Sequence, residues 1–102
     1  MSDHAERASA DHPDVTVFWR PGCGFCAMLE RGLSNAGLEY ERRNIWEDDE
    51  AARFVRMANN GNETVPTVVI GTDVYTNPPA RFVLEKLGID PPDGPFARLL
   101  RG

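Results

Sequence analysis

Apolar and polar positions along this chain fall into blocks whose repeat changes from one block to the next. Val15-Thr16-Val17-Phe18-Trp19 is β-branched and aromatic and apolar nearly throughout, which predicts a central strand covered on both faces. The repeat then lengthens. Cys26, Leu29, Leu33 and Ala36 form the buried stripe of a helix running to about Ala36, with Gly37 past its end as the stop and Glu30 and Arg31 on the wet side. Residues 39–45 alternate enough for a second strand nearer an edge. Ala51, Phe54, Val55 and Ala58 stand at i, i+3, i+4 and i+7, the mark of a second helix, and Asn59-Asn60-Gly61-Asn62 closes it. Thr67-Val68-Val69-Ile70 and Val74-Tyr75-Thr76 are short strands joined through Gly71-Thr72-Asp73 as a tight hairpin turn. A last helix carries Ala80, Val83, Leu84 and Leu87, with Asn77-Pro78-Pro79 in its first turn and Gly88-Ile89 as a Schellman stop.

The order is βαβαββα. A strand-helix-strand unit is parallel and right-handed, and a two-strand hairpin is antiparallel, so the elements predict an α/β fold: a four-stranded mixed sheet with helices on both faces. The 102 residues allow one domain, placed at residues 14–88. Residues 1–13 are polar and acidic and read as a disordered tail. Residues 89–102 read as a C-terminal extension, in which Phe96, Leu99 and Leu100 give one amphipathic turn packed back on the body. A net charge of -5 argues against nucleic acid, whose phosphates need a basic face. There is neither a basic flank with an apolar run at the N-terminus nor a stretch of membrane-span length, so a cytoplasmic protein is expected; a monomer is expected as well.

The acidic run Glu47, Asp48, Asp49 and Glu50 has the composition of a metal site but is better placed to cap and charge the start of the second helix. The stronger candidate chemistry lies in Arg20-Pro21-Gly22-Cys23-Gly24-Phe25-Cys26, which holds both cysteines of the chain. If the first helix begins at or just after Cys23, unpaired backbone N–H groups and the positive end of the helix dipole point at that sulfur and favour its thiolate. Arg20 adds a positive charge, and thiols in such settings fall from about 8.5 to roughly 3.5–7.5. Cys23 is then the nucleophile. Cys26, one turn deeper, is suited to attack a mixed disulfide formed on Cys23. A zinc site lacks ligands, since His4 and His12 lie in the tail. A structural bridge this short constrains little chain entropy, and inert reduced thiols remain a third alternative. Redox work fits a C-x-x-C beside a βαβ pattern best.

On these residues the chain resembles the glutaredoxins of the thioredoxin fold, and within them the actinobacterial mycoredoxins, over roughly residues 15–87. Cys23-Gly24-Phe25-Cys26 is similar to their C-x-[YF]-C, Arg20 falls where they usually carry a basic residue, and Thr64-Val65-Pro66 matches their T-V-P. The run Gly61-Asn62-Glu63-Thr64-Val65-Pro66-Thr67-Val68, followed by Thr76-Asn77-Pro78, resembles the mycoredoxin pattern specifically. The resemblance implies a cis bond before Pro66 and a Val65 backbone that pairs with an extended substrate beside Cys23. It also implies that Arg20, Phe25, Thr64, Val65, Pro66, Thr76 and Asn77 contact substrate. Phe25 and Trp19 are candidates to line the groove, although the strand position of Trp19 favours the core.

Two departures bear on the thiol. Glutathione-binding members resemble one another in a basic residue just before T-V-P, where this chain has Glu63, and in a Gly-Gly then acidic motif at the last helix, where it has Thr76-Asn77-Pro78-Pro79. The resemblance therefore implies a thiol-disulfide oxidoreductase that acts on mixed-disulfide proteins with mycothiol, less readily glutathione, as reductant, and with no bound cofactor or metal. Two other readings stay open. One is a thioredoxin-like dithiol donor, for example to ribonucleotide reductase. The other is an iron-sulfur carrier like the Cys-Gly-Phe-Ser glutaredoxins, against which Cys26 stands in place of serine.

Overall fold

The computed structural model describes residues 12–90. The expected turn at Phe96, Leu99 and Leu100 and most of the expected tail lie outside the described residues. The elements follow the expected order: β1 (Val15–Trp19), α1 (Gly24–Asn35), β2 (Glu41–Asn44), α2 (Asp49–Ala58), β3 (Thr67–Ile70), β4 (Asp73–Thr76) and α3 (Ala80–Leu87). They build a four-stranded sheet of order β2-β1-β3-β4. β1 runs parallel to β2, with Val17 opposite Arg42, and antiparallel to β3, with Val17 opposite Val68. β4 pairs antiparallel with β3, Val68 facing Tyr75. Among the described residues no helix is long and apolar enough to cross a membrane.

Because successive strand residues face opposite ways, β1 serves two apolar layers. Val15 and Val17 join Val68, Ile70, Leu29, Leu33, Val83, Leu84 and Leu87 beneath α1 and α3. Phe18 faces the other side, with Ile45, Ala51, Ala52 and Val55 beneath α2. Val17, Leu33, Val55, Val68 and Val83 have no exposed surface, and burying a side chain of this size contributes about 1.5–3 kcal/mol.

The structure differs from the pattern reading in several details, beginning with β2, which covers Glu41–Asn44 and not the expected 39–45. The buried face of α2 is Ala51, Ala52 and Val55, with Phe54 stacked on Phe18 at 5.0 Å, whereas Ala58 is exposed. The face drifts by its last turn, so that Asn59 takes the inward place assigned to Ala58. Asp73 belongs to β4, opposite Ile70, which leaves a two-residue turn with Gly71 at φ 64°, the left-handed value glycine supplies at the first central position. α3 starts at Ala80, with Pro79 as its N-cap in extended conformation. Pro78 precedes another proline and is thereby disfavoured from the helical region, so Asn77-Pro78-Pro79 is the approach to the helix, not its first turn. At its far end Gly88 is left-handed and Ile89 N–H donates to Leu84 O at 2.9 Å, the expected Schellman closure.

Candidate active site

The strand β1 ends at Trp19, the chain turns through Pro21 and Gly22 (φ 80°), and Cys23 becomes the N-cap of α1 in extended conformation. Its sulfur accepts a hydrogen bond from the Cys26 N–H at 3.1 Å. A sulfur there takes the role that a serine or aspartate oxygen usually fills, satisfying one of the orphan donors of the first turn. The first turn of α1 carries no acidic side chain, so nothing on that turn offsets the attraction of the helix N-terminus for a negative sulfur. Cys26 faces the core at 2% exposure, while Cys23 is half-buried. The two form a disulfide with Cα atoms 5.2 Å apart.

Across from the pair, the Val65–Pro66 bond is cis, as the resemblance implies, and Val65 O lies 3.7 Å from Cys23 Sγ. In the disulfide this is a plain contact, because the sulfur has no proton to donate. On reduction the Cys23 thiol gains an acceptor there. Asn77 N–H donates to Pro66 O at 2.7 Å, tying the loop to the segment that leads into α3. Phe25 is 63% exposed, and with Met28, Asn77, Pro78 and Pro79 it lines a groove of about 320 Å³.

The other residues singled out from the sequence make contacts away from the two sulfurs. Thr64 turns its carbonyl to the Thr67 hydroxyl, and the Thr76 hydroxyl donates to Asn59 Oδ1 at 2.6 Å. Arg20 donates to Pro21 O at 3.0 Å and lies 5.5 Å from the ring centroid of Trp46. Trp19 is not a core residue: it is half-buried, with the Arg42 guanidinium 4.1 Å above its ring. It stands at the last position of β1, beyond both apolar layers, and the neighbouring strand covers it with a cation instead of a hydrocarbon. Glu63 pairs with Arg56 at 2.7 Å. Asp48 caps α2 by accepting from Ala51 N–H at 3.1 Å, and Asp49 and Glu50 fill its first turn, the role expected of the acidic run.

Met28, Trp46 and Asn59 were not singled out from sequence. Met28 lies off the buried stripe of α1, Trp46 is a lone aromatic after an edge strand, and Asn59 is a polar residue in an inward phase, the one signal of the three that spacing carries.

The glutaredoxin family model matches residues 15–75. Mycoredoxin 1 of Corynebacterium glutamicum is 36% identical over 75 residues, spanning 72% of this chain and 92% of the relative. Among solved structures, glutaredoxin from Brucella melitensis superposes with a TM-score of 0.60 at 24% identity, covering 90% of this chain and 92% of that one. The NrdH-redoxin of Escherichia coli, a glutaredoxin-like protein with a thioredoxin-like activity profile, gives 0.55 at 27% identity over 62% of this chain and 80% of its own. A sulfur capping a helix, its partner buried one turn on, and a family match that spans the loop facing them lead to one assignment: the chain belongs to the glutaredoxin family and is a thiol-disulfide oxidoreductase that carries a Cys23–Cys26 pair.

Proposed function

We propose that this oxidoreductase frees proteins from mixed disulfides with a low-molecular-weight thiol, and that mycothiol serves it better than glutathione. The observation that carries the choice of thiol is Glu63. Where the resemblance implies a basic side chain for one carboxylate of glutathione, this chain presents a carboxylate, and the neighbouring Arg56 is already paired with it at 2.7 Å. A glutathione carboxylate there meets repulsion where other members offer attraction. At the other clamp stand Asn77, Pro78 and Pro79, and Pro79 caps α3 without a side-chain hydrogen bond. Mycothiol, a cysteinyl sugar with neither a γ-glutamyl group nor a terminal glycine, needs neither clamp. The identity with Mycoredoxin 1 supports the same choice.

In this reading Cys23 thiolate attacks the sulfur of the small thiol. The protein leaves as its thiolate, and Cys23 is left in a disulfide with the small thiol. A second small-thiol thiolate attacks the sulfur of the first, releasing the oxidised small thiol and restoring Cys23. Arg20 and the α1 N-terminus hold the thiolate. Phe25, Thr64, Val65, Pro66, Thr76 and Asn77 form the substrate side. The protein works as a monomer in a reducing cytoplasm and holds no resident cofactor.

Turnover of a mycothiolated and a glutathionylated peptide, each with its own thiol at matched concentration, tests this. Faster turnover with mycothiol is expected, abolished by Cys23→Ser and retained by Cys26→Ser; equal or faster turnover with glutathione, or activity without Cys23, sinks it. A second reading, a dithiol donor to a reductase, is favoured by the likeness to NrdH-redoxin and requires Cys26. It replaces the first if Cys26→Ser is inactive on the mixed disulfide.

A further inference from the structure

One amide side chain ties together three segments: the end of α2, the start of β3 and the end of β4. Asn59 caps the C-terminal end of α2, four residues beyond the fully buried Val55, so it continues the inward face of that helix. Its Nδ2 donates to Val55 O at 2.8 Å and to Thr67 Oγ1 at 3.2 Å, while its Oδ1 accepts from Thr76 Oγ1 at 2.6 Å. Thr67, with no exposed surface, donates its own hydroxyl proton to Thr64 O at 2.7 Å.

The direction of this chain is fixed at both ends. Val55 O and Thr64 O are carbonyls and only accept. Asn59 must therefore turn its NH₂ to the helix, Thr67 must accept from it, and Thr76 must donate. A carboxylate at position 59 has no proton to give Val55, and an alkyl side chain has nothing to give or take.

The ends of the chain lie next to the reaction centre. Thr64 directly precedes Val65, whose carbonyl oxygen is 3.7 Å from Cys23 Sγ. Thr76 directly precedes Asn77, whose N–H donates to Pro66 O at 2.7 Å. We propose that Asn59 is a positioning residue for the oxidoreductase reaction: acting through Thr67 and Thr76, it holds the loop of residues 64–66 and the Asn77 segment at the spacing from Cys23 that an incoming disulfide needs. It touches neither sulfur. Its influence falls on placement of the substrate, whereas ionisation of Cys23 rests on the N-terminus of α1 and on Arg20. The inference depends on the oxidoreductase activity alone and holds whichever small thiol is used.

The test is the single-turnover reaction of the reduced protein with a peptide disulfide and no small thiol present, read as half-saturating peptide concentration and limiting rate. The pH dependence of Cys23 alkylation is measured beside it. Asn59→Ala and Thr67→Val are each expected to raise the half-saturating concentration roughly five- to tenfold, the weight of one buried hydrogen bond. The double variant should do no more than the larger single change, because both break the same chain. Thr67→Ser keeps the hydroxyl and should return saturation to that of the unaltered protein, with the alkylation profile in place throughout. Unchanged saturation in Thr67→Val overturns the proposal. So does a Thr67→Ser that behaves as Thr67→Val, or an alkylation profile that moves together with saturation, since either reduces the network to support of the core. If Asn59→Ala does not fold, the Thr67 pair decides the matter alone.

Discussion

Cys23 and Asp48 do the same job at two different helices, and the comparison separates what the cap position gives from what the side chain adds. Each stands in extended conformation at the N-cap and accepts a backbone N–H from three residues on, at 3.1 Å in both cases. At Cys23 the cap is also the sulfur proposed to react, so in that reading the field of α1 acts on chemistry. At Asp48 it acts on stability, and there a cation reinforces it: Arg43 Nη2 and Nε donate to Oδ2 at 2.7 and 2.9 Å. The Arg43 guanidinium first, and the Ala51 N–H after it, hold the Asp48 carboxyl below the usual aspartate range. A lowered folded-state pKa means stability that is present above the unfolded value, about 3.9, and is lost as pH falls through the folded value. Asp48→Asn keeps a competent cap and removes the ion pair. Its melting temperature should lie below that of the unaltered protein at pH 7, with the gap closing as the pH is taken below about 4. A gap of constant size down to pH 2 would show that the pair with Arg43 contributes nothing.

Between elements, α1 comes close against α3 at Gly32. A Cβ built on Gly32 would stand 2.5 Å from the Ala80 Cβ, nearer than two carbons can pack. Gly32 is therefore in mid-helix for a reason of contact, and its usual cost there, about 1 kcal/mol against alanine, is offset by letting the helices close on Leu29, Leu33, Val83 and Leu84. Gly32→Ala sets a gain in helix propensity against overpacking of about 1–3 kcal/mol. Overpacking should win, since Ala80 has no flexible end to move aside and sits in the first turn of α3 beside the Asn77-Pro78-Pro79 approach. The expected result is a lower urea midpoint for Gly32→Ala and recovery of most of it in Gly32→Ala with Ala80→Gly, which reopens the contact. Equal midpoints for both variants would place the cost elsewhere than between these helices. Nothing in the local sequence around Gly32 announces this, because the partner atom lies on another element 48 positions away.

Across the whole molecule, legibility follows how local the determining contact is. β1, the buried stripe of α1 and the stops at Gly37 and Gly88 are set by spacing within a few residues, and the spacing alone places them. The last turn of α2 is set by hydrogen bonds that Asn59 donates to Thr67, eight positions on, and accepts from Thr76, 17 positions on, so the apolar repeat pointed to Ala58 instead. Trp19 reads as core from its strand and is covered by Arg42 of β2. The cysteine pair is plain from C-x-x-C, whereas the loop that faces it becomes visible only through likeness to other chains, since its closeness to Cys23 spans 42 positions. The same non-local sheet governs unfolding. β1 gives Val17 to one apolar layer and Phe18 to the other, so neither layer can come apart while leaving the strand intact for its opposite number. Leu33→Ala on the buried face of α1 and Ile45→Ala in the layer beneath α2 should each cost about 2–5 kcal/mol. Each should do so in a single transition that coincides in far-ultraviolet and near-ultraviolet circular dichroism, with the double variant close to the sum because the sites lie on opposite faces. If Ile45→Ala instead splits the two signals while Leu33→Ala does not, the α2 layer unfolds on its own, and the loop facing Cys23, which packs Val65 against that layer, separates from the sulfurs before the rest of the fold is lost.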